Sequence, residues 1–243
     1  VITMSKTTYK SDKIKTIVAV GVFSAFAYVC CVLFHFRASF LSFDLKDSVM
    51  TVGAMLFGPV YGLAMSVIVG LIEFVTISST GVYGLIMNVL ASAVFVCVGS
   101  FIYSRKRTMT GALLGMLASV VSMTAVMMVA NLIITPFYMG VSTSDVVQLI
   151  PTLLLPFNLT KGIFNASIVF LIYKPVSKAI RLAGFVSVSV AKGQDAPIGV
   201  IPGKSENGKK SVSYIITVVV AALVAVLSLV YFIVKLGGSF SIK

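Results

Sequence analysis

An all-α polytopic membrane protein is the fold class this sequence predicts, and three observations predict it. Hydrophobic residues make up 58% of the chain and charged residues 11%, where soluble domains carry about 25% charged residues. Mean hydropathy is +1.08. The apolar residues fall in continuous runs, not in the short alternating segments of a membrane β-barrel. A backbone in lipid must satisfy its own polar groups, so the runs read as helices.

Residues 1–13, with Lys6, Lys10 and Lys13, form a basic N-terminal arm. The first span, Ile14 to Phe34, is longer than a signal-peptide core and is read as uncleaved. His35 to Asp47 reads as an amphipathic loop. The second span, Ser48 to Phe57, is short for a crossing and must be tilted or packed among neighbours. Gly58-Pro59 breaks it from the third span, Val60 to Ile77. Ser78-Ser79-Thr80-Gly81 is a turn. The fourth span runs from Val82 to Tyr103, and Arg105-Lys106-Arg107 leads to the fifth, Met109 to Phe137. A loop carrying Asp145 precedes the sixth, Pro151 to Tyr173. Residues 14–183 thus make a six-span domain. Residues 184–212 are rich in Gly, Ser and Lys and read as a flexible linker. A seventh transmembrane helix, 213–235, has no charged residue between Ser213 and Val234 and reads as an anchor or packing helix, followed by a tail, 236–243.

The net charge of +12 is carried by short flanks between apolar runs, so it marks orientation rather than nucleic-acid binding. With a cytoplasmic N-terminus, 14 of the 19 cations lie in the N-terminal segment through Lys15, the Arg105–Arg107 loop and the region after the sixth span. Arg37, Lys46, Lys235 and Lys243 lie outside, as does the C-terminus if the seventh span crosses. This is the positive-inside pattern of a multi-pass cell-membrane protein. Cys30, Cys31 and Cys97 read as packing residues. One histidine, His35, without clustered ligands makes no metal site. No Gly-x4-Gly-Lys-Ser/Thr pattern is present, so any energy must come from a partner.

Lys161 stands about a third of the way into the sixth apolar run. A cation at such depth costs roughly 2.5–3.5 kcal/mol on insertion scales and by default has a purpose. Asn158 lies one helical turn before it, on the same face. Depth, at about 1.5 Å per helical residue, brings more polar groups to the same level. Glu73 lies near the outer end of the third span, Asn88 about 9 Å into the fourth and Asn131 about 9 Å below the end of the fifth. Five polar side chains from four helices therefore reach one layer in the outer half of the membrane. They predict a pocket for an uncharged ligand rich in hydrogen-bonding groups. Alternatives remain: an asparagine can be interhelical glue, and Glu73 can neutralise Lys161. Phe40, Phe43, Phe157, Tyr138 and Phe164 are candidate apolar or stacking walls, and the loop Phe40-Leu41-Ser42-Phe43-Asp44 is placed to cover the pocket.

Leu155-Pro156-Phe157-Asn158-Leu159-Thr160-Lys161, Asn131 followed by Pro136-Phe137-Tyr138, and Phe40 to Asp47 resemble the riboflavin-binding S components of energy-coupling factor (ECF) vitamin transporters. Phe57-Gly58-Pro59 and Gly84-Leu85-Ile86-Met87-Asn88 fit the same pattern, and the likeness covers about Lys13 to Leu182. The resemblance implies a six-helix S-component bundle that captures riboflavin from outside the cell and no enzymatic activity or cofactor. It implies a transmembrane coupling subunit and two ATPase subunits as partners. It implies that Asn131, Asn158 and Lys161 hydrogen-bond the flavin's polar edge and that the loop around Leu41 covers the ribityl chain. Asn88, Glu73 and Phe43 complete the expected substrate site. The seventh span departs from the family pattern. So does the first helix, where the small-residue docking motif is matched only by Gly21, Ala25 and neighbouring Ser24. The rival functions are capture of another vitamin or small heterocycle and, from a different class, an intramembrane enzyme using Glu73 beside Lys161. The second lacks any Ser/His pair or metal cluster.

Overall fold

Among the described residues, a short buried helix lies inside the bundle, enclosed by four longer ones. The structure is a computed structural model and describes residues 3–34, 36–183, 208–237 and 239–240. The elements in order are α1 (Thr3–Leu33), β1 (Phe36–Ala38), β2 (Leu41–Phe43), α2 (Lys46–Phe57), α3 (Pro59–Thr76), α4 (Gly81–Arg105) and α5 (Met109–Met139). Next come α6 (Thr143–Leu149), a π-helical turn (Ile150–Leu154), α7 (Leu155–Leu182), α8 (Gly208–Lys235) and β3 (Ser239–Phe240). Among the described residues six helical stretches are long and apolar enough to cross a membrane: α1, α3, α4, α5, α6 through α7, and α8. His35 lies outside the described residues, as do 184–207 of the stretch read as a linker; residues 208–212 are the first turns of α8.

α2 explains how a short span is tolerated. Its 12 residues reach about 18 Å, against a hydrocarbon core of about 30 Å. Every residue from Lys46 to Met55 is buried, enclosed by α1, α3, α4 and α7. Helix ends at membrane depth are permitted where protein, not lipid, surrounds them. Gly58 then reverses the chain with φ 112°, a conformation side chains disfavour, and Pro59 opens α3 at a position that needs no N–H donor.

α4 and α5 cross at Gly99 and Gly115. A Cβ on Gly115 would sit 2.8 Å from the Gly99 carbonyl oxygen, so only glycine lets these backbones approach. Thr108 caps the start of α5 by accepting the Gly111 N–H, and Gly140 closes its end in the left-handed conformation. The Ser142–Asp145 capping box opens α6. Pro156 cannot donate to the carbonyl one turn back, and its ring crowds that carbonyl. The chain widens there into the π-helical turn before α7 resumes.

The segment read as a loop, His35 to Asp47, holds more structure than its composition suggests. β1 and β2 form a hairpin with Ala38 opposite Leu41 and Ser39 at φ 55° in the tip. Such a two-residue turn needs positive φ to match the strand twist. β3 pairs with the other edge of β1. α8 buries Ala221, Ala225, Ser228 and Phe232 at helical spacing against α7. Its opposite face, including Leu223, Leu227 and Val230, is exposed, as a lipid-facing surface would be.

Candidate functional site

One cavity opens beneath the β1–β2 hairpin, between α4, α5 and α7. Its volume is about 80 Å³ and it is open at its mouth; sites that hold small molecules run to roughly 300–1,000 Å³, so the cover and walls must part for a ligand to enter. Asn88 of α4, Asn131 of α5, and Asn158 and Lys161 of α7 all line it. Leu41, with Phe40 and Ser42, forms its cover. Ala91, Met87, Met127, Ile134, Phe157, Tyr83 and Tyr138 make the apolar walls. The three asparagines and the lysine thus come together from three helices.

Each polar group is held by its own helix or a neighbour. Asn131 donates to the Met127 carbonyl at 2.7 Å, and its amide oxygen accepts from the Thr135 hydroxyl at 2.8 Å. Asn158 donates to the Leu154 carbonyl at 2.8 Å, in the π-helical turn. Asn88 donates to Glu73 Oε1 at 3.0 Å. Each amide keeps a second N–H, and the Asn158 and Asn88 oxygens remain as acceptors for a ligand.

Glu73 and Phe43 do not line the cavity. Glu73 lies behind Asn88, with its other oxygen paired to Lys46. Its part is to orient the amide. Lys161 is instead neutralised by the loop. Its Nζ donates to Asp44 Oδ2 at 3.1 Å and to the Ser42 carbonyl at 3.1 Å, with Asp47 Oδ2 at 3.9 Å. A Glu73–Lys161 pair is therefore not what holds these charges. Phe43 is 0% exposed and points into an aromatic cluster with Phe157, Phe164 and Phe232. Of the candidate walls, Phe40, Phe157 and Tyr138 face the cavity, and Phe43 and Phe164 stand behind it.

Sequence reasoning missed the charges that support the site. Asp44, Lys46 and Asp47 are buried, although Lys46 reads as an outer-side cation. Lys46 also lies 3.6 Å from Asp44, and Asp47 accepts from the Ser92 hydroxyl at 2.6 Å. Asn165 is the other omission. It donates to the Asp44 and Lys161 carbonyls at 3.0 and 3.1 Å, and accepts from the Ser48 N–H at 3.0 Å. A signal existed for both. A helix too short to cross lipid must be enclosed by protein, and its flanking charges with it. Asn165 also continues the face of Asn158 and Lys161 one turn further.

On the docking candidates, Gly21 and Ala25 are exposed on the outer face of α1. Ser24 faces the bundle interior and donates to the Val20 carbonyl at 2.9 Å. It is not part of that surface, because the two glycine-spaced positions and Ser24 point to different sides of the helix. Among the described residues no group of His, Cys, Asp and Glu could hold a metal ion.

With this geometry in view, residues 15–173 match the family described as ECF transporter, substrate-specific component. The chain is 26% identical over 178 residues to the riboflavin transporter FmnP of Bacillus subtilis (strain 168), covering 67% of this chain and 94% of that protein. It is 26% identical over 181 residues to the riboflavin transporter RibU of Staphylococcus aureus (strain TCH60), covering 71% of this chain and 92% of that protein. A solved structure of the S component of a bacterial ECF transporter superposes with a TM-score of 0.60 at 24% identity, covering 70% of this chain and 99% of that one.

Proposed function

The chain belongs to the family of ECF transporter substrate-specific components, and from that premise we propose that it captures riboflavin in the cavity beneath the β1–β2 hairpin. It is a multi-pass membrane transport component, not an enzyme. The observation that carries the substrate reading is the cavity lining: three asparagines and Lys161 beside flat apolar walls. Riboflavin pairs a planar aromatic ring system with a pyrimidine-like edge of carbonyls and an N–H. Amides serve both kinds of group, and an ammonium serves the carbonyls. Tyr83, Tyr138 and Phe157 are suited to pack against the ring faces. Asn131, Asn158 and Lys161 are the proposed contacts to the polar edge, and Leu41 with the hairpin covers the ribityl chain. Two relatives named as riboflavin transporters support the same substrate.

Orientation follows from the charge bias, with the N-terminus cytoplasmic and the cavity facing outward. α1 ends at the hairpin and α8 delivers β3 to it, so the C-terminal strand lies on the same, outer side. Translocation draws on partners: a transmembrane coupling subunit seated on the Gly21–Ala25 face of α1, and two ATPase subunits.

Purified protein tests the substrate directly. The expected result is a yellow preparation, or a colourless one that quenches riboflavin fluorescence at equal stoichiometry. A well-folded sample that ignores added riboflavin overturns the assignment and leaves another vitamin as ligand.

A further inference from the structure

The C-terminal helix lies outside the matched residues 15–173, and its sequence suggests an anchor or packing helix. Its buried stripe ends behind the cavity wall. Phe232 is 0% exposed and stacks on Phe43 with ring centroids 4.4 Å apart and planes 27° apart. It also meets Phe157 at 6.1 Å and Phe36 at 6.4 Å, edge-on to the latter. Phe157 is a cavity wall, Phe36 belongs to β1, and Phe43 ends β2 directly after the cavity-covering Ser42. Leu229 and Leu236 flank the same cluster. Beyond Gly237, whose φ of 64° turns the chain, β3 adds to the free edge of β1.

The hairpin cover is therefore fastened in three ways: Lys161 to Ser42 and Asp44, Phe43 in the aromatic cluster, and β3 on β1. The last two depend on the α8 segment. We infer that α8 is a built-in fastener for the cover, and that Phe232 is the positioning residue through which it sets how fast the bound ligand leaves. The cover must lift for a ligand beneath Leu41 and Ser42 to pass, and lifting it withdraws Phe43 from Phe232. The ligand part of this inference rests on the riboflavin reading; the fastening does not.

The test uses the full chain in detergent or nanodiscs, with Phe232→Ala, Phe232→Leu and, as control, Leu227→Ala on the exposed face of the same helix. Two quantities are read: amide hydrogen exchange of residues 36–43 without ligand, and the riboflavin dissociation rate. Phe232→Ala is expected to speed exchange in the hairpin selectively, and to speed dissociation by roughly two- to tenfold, the weight of one aromatic pair. Phe232→Leu should do both to a smaller degree, and Leu227→Ala neither. Unchanged hairpin exchange in both Phe232 variants overturns the fastening. Faster hairpin exchange with an unchanged dissociation rate overturns the link to ligand exit. If Phe232→Ala loosens the entire bundle, Phe232→Leu decides by the same criteria. A wild-type protein that binds no riboflavin refutes the substrate reading alone, and hydrogen exchange still decides the fastening.

Discussion

Lys161 does two jobs, because its ammonium both lines the cavity and ties down the cover through Ser42 and Asp44. Lys161→Met removes a charged donor and should weaken riboflavin binding by about 1.5–3 kcal/mol. It also removes one of the two cations beside Asp44, which is 0% exposed and keeps Lys46 at 3.6 Å, so the stability loss should stay below the about 3–5 kcal/mol of a fully broken buried pair. Asp44→Asn combined with Lys161→Met should regain much of the melting temperature but not the affinity. Fluorescence quenching and thermal melting on the two variants separate these effects. Full recovery of affinity in the double variant would show that Lys161 serves only as a counter-charge. Asn158→Leu removes no charge, so it should cost about 1–3 kcal/mol of binding through unpaired ligand groups with little change in melting. A melting loss as large as that of Lys161→Met would point to a structural role instead. These residues were readable from depth along each helix. Asp44 and Asn165 were not, because their importance comes from a contact between a loop and a helix 117 or more positions away in the chain.

At the scale of elements, α2 and the α4–α5 crossing carry the architecture. The hydrophobic pattern announced a short second span, and the structure shows why it is short: protein encloses it, so it need not match the bilayer. Gly115→Val places methyl groups against the Gly99 carbonyl. Overpacking of this kind costs typically about 1–3 kcal/mol. The variant should melt earlier, and flavin affinity should fall as α4 and α5 are pushed apart, since Asn88 and Asn131 sit on those two helices. Unaltered melting would mean the crossing relaxes freely. α1 offers a separate test. Gly21 and Ala25 face outward with open space beside Gly21. Gly21→Trp or Ala25→Trp should leave riboflavin binding intact and abolish co-purification with the coupling subunit. Intact co-purification would move the docking surface elsewhere. Ser24 is next to Ala25 in the sequence but not on its face of α1. Helical geometry turns it inward to the bundle.

For the whole molecule, the proposed division of labour gives a direct expectation. The sequence contains no Gly-x4-Gly-Lys-Ser/Thr motif, and the protein alone should bind riboflavin in liposomes without concentrating it. Uptake against a gradient with no partner and no ATP would contradict a capture role. The composition of α8 reads as an anchor or packing helix, and Phe232 and β3 lie against the hairpin that covers the cavity. A helix's composition reveals that it is buried or lipid-facing; it does not reveal which neighbour it meets.

The sequence by itself determined the class, the order of the long apolar helices, and the polar residues that reach the outer layer. Those follow from local rules: apolar run length against bilayer thickness, and helical rise converting position to depth. The likeness of Phe40–Asp47, Asn131 and the Asn158–Lys161 stretch added the family. Only the tertiary structure decided which charges pair, since Glu73 went to Lys46 and Asn88, and Lys161 to Asp44. It alone decided that Phe43 faces away from the cavity into a cluster completed by α8. Pairing and facing depend on where distant segments meet. Several buried partners of the right sign or shape were available to each group, and the packing of the entire bundle selected among them.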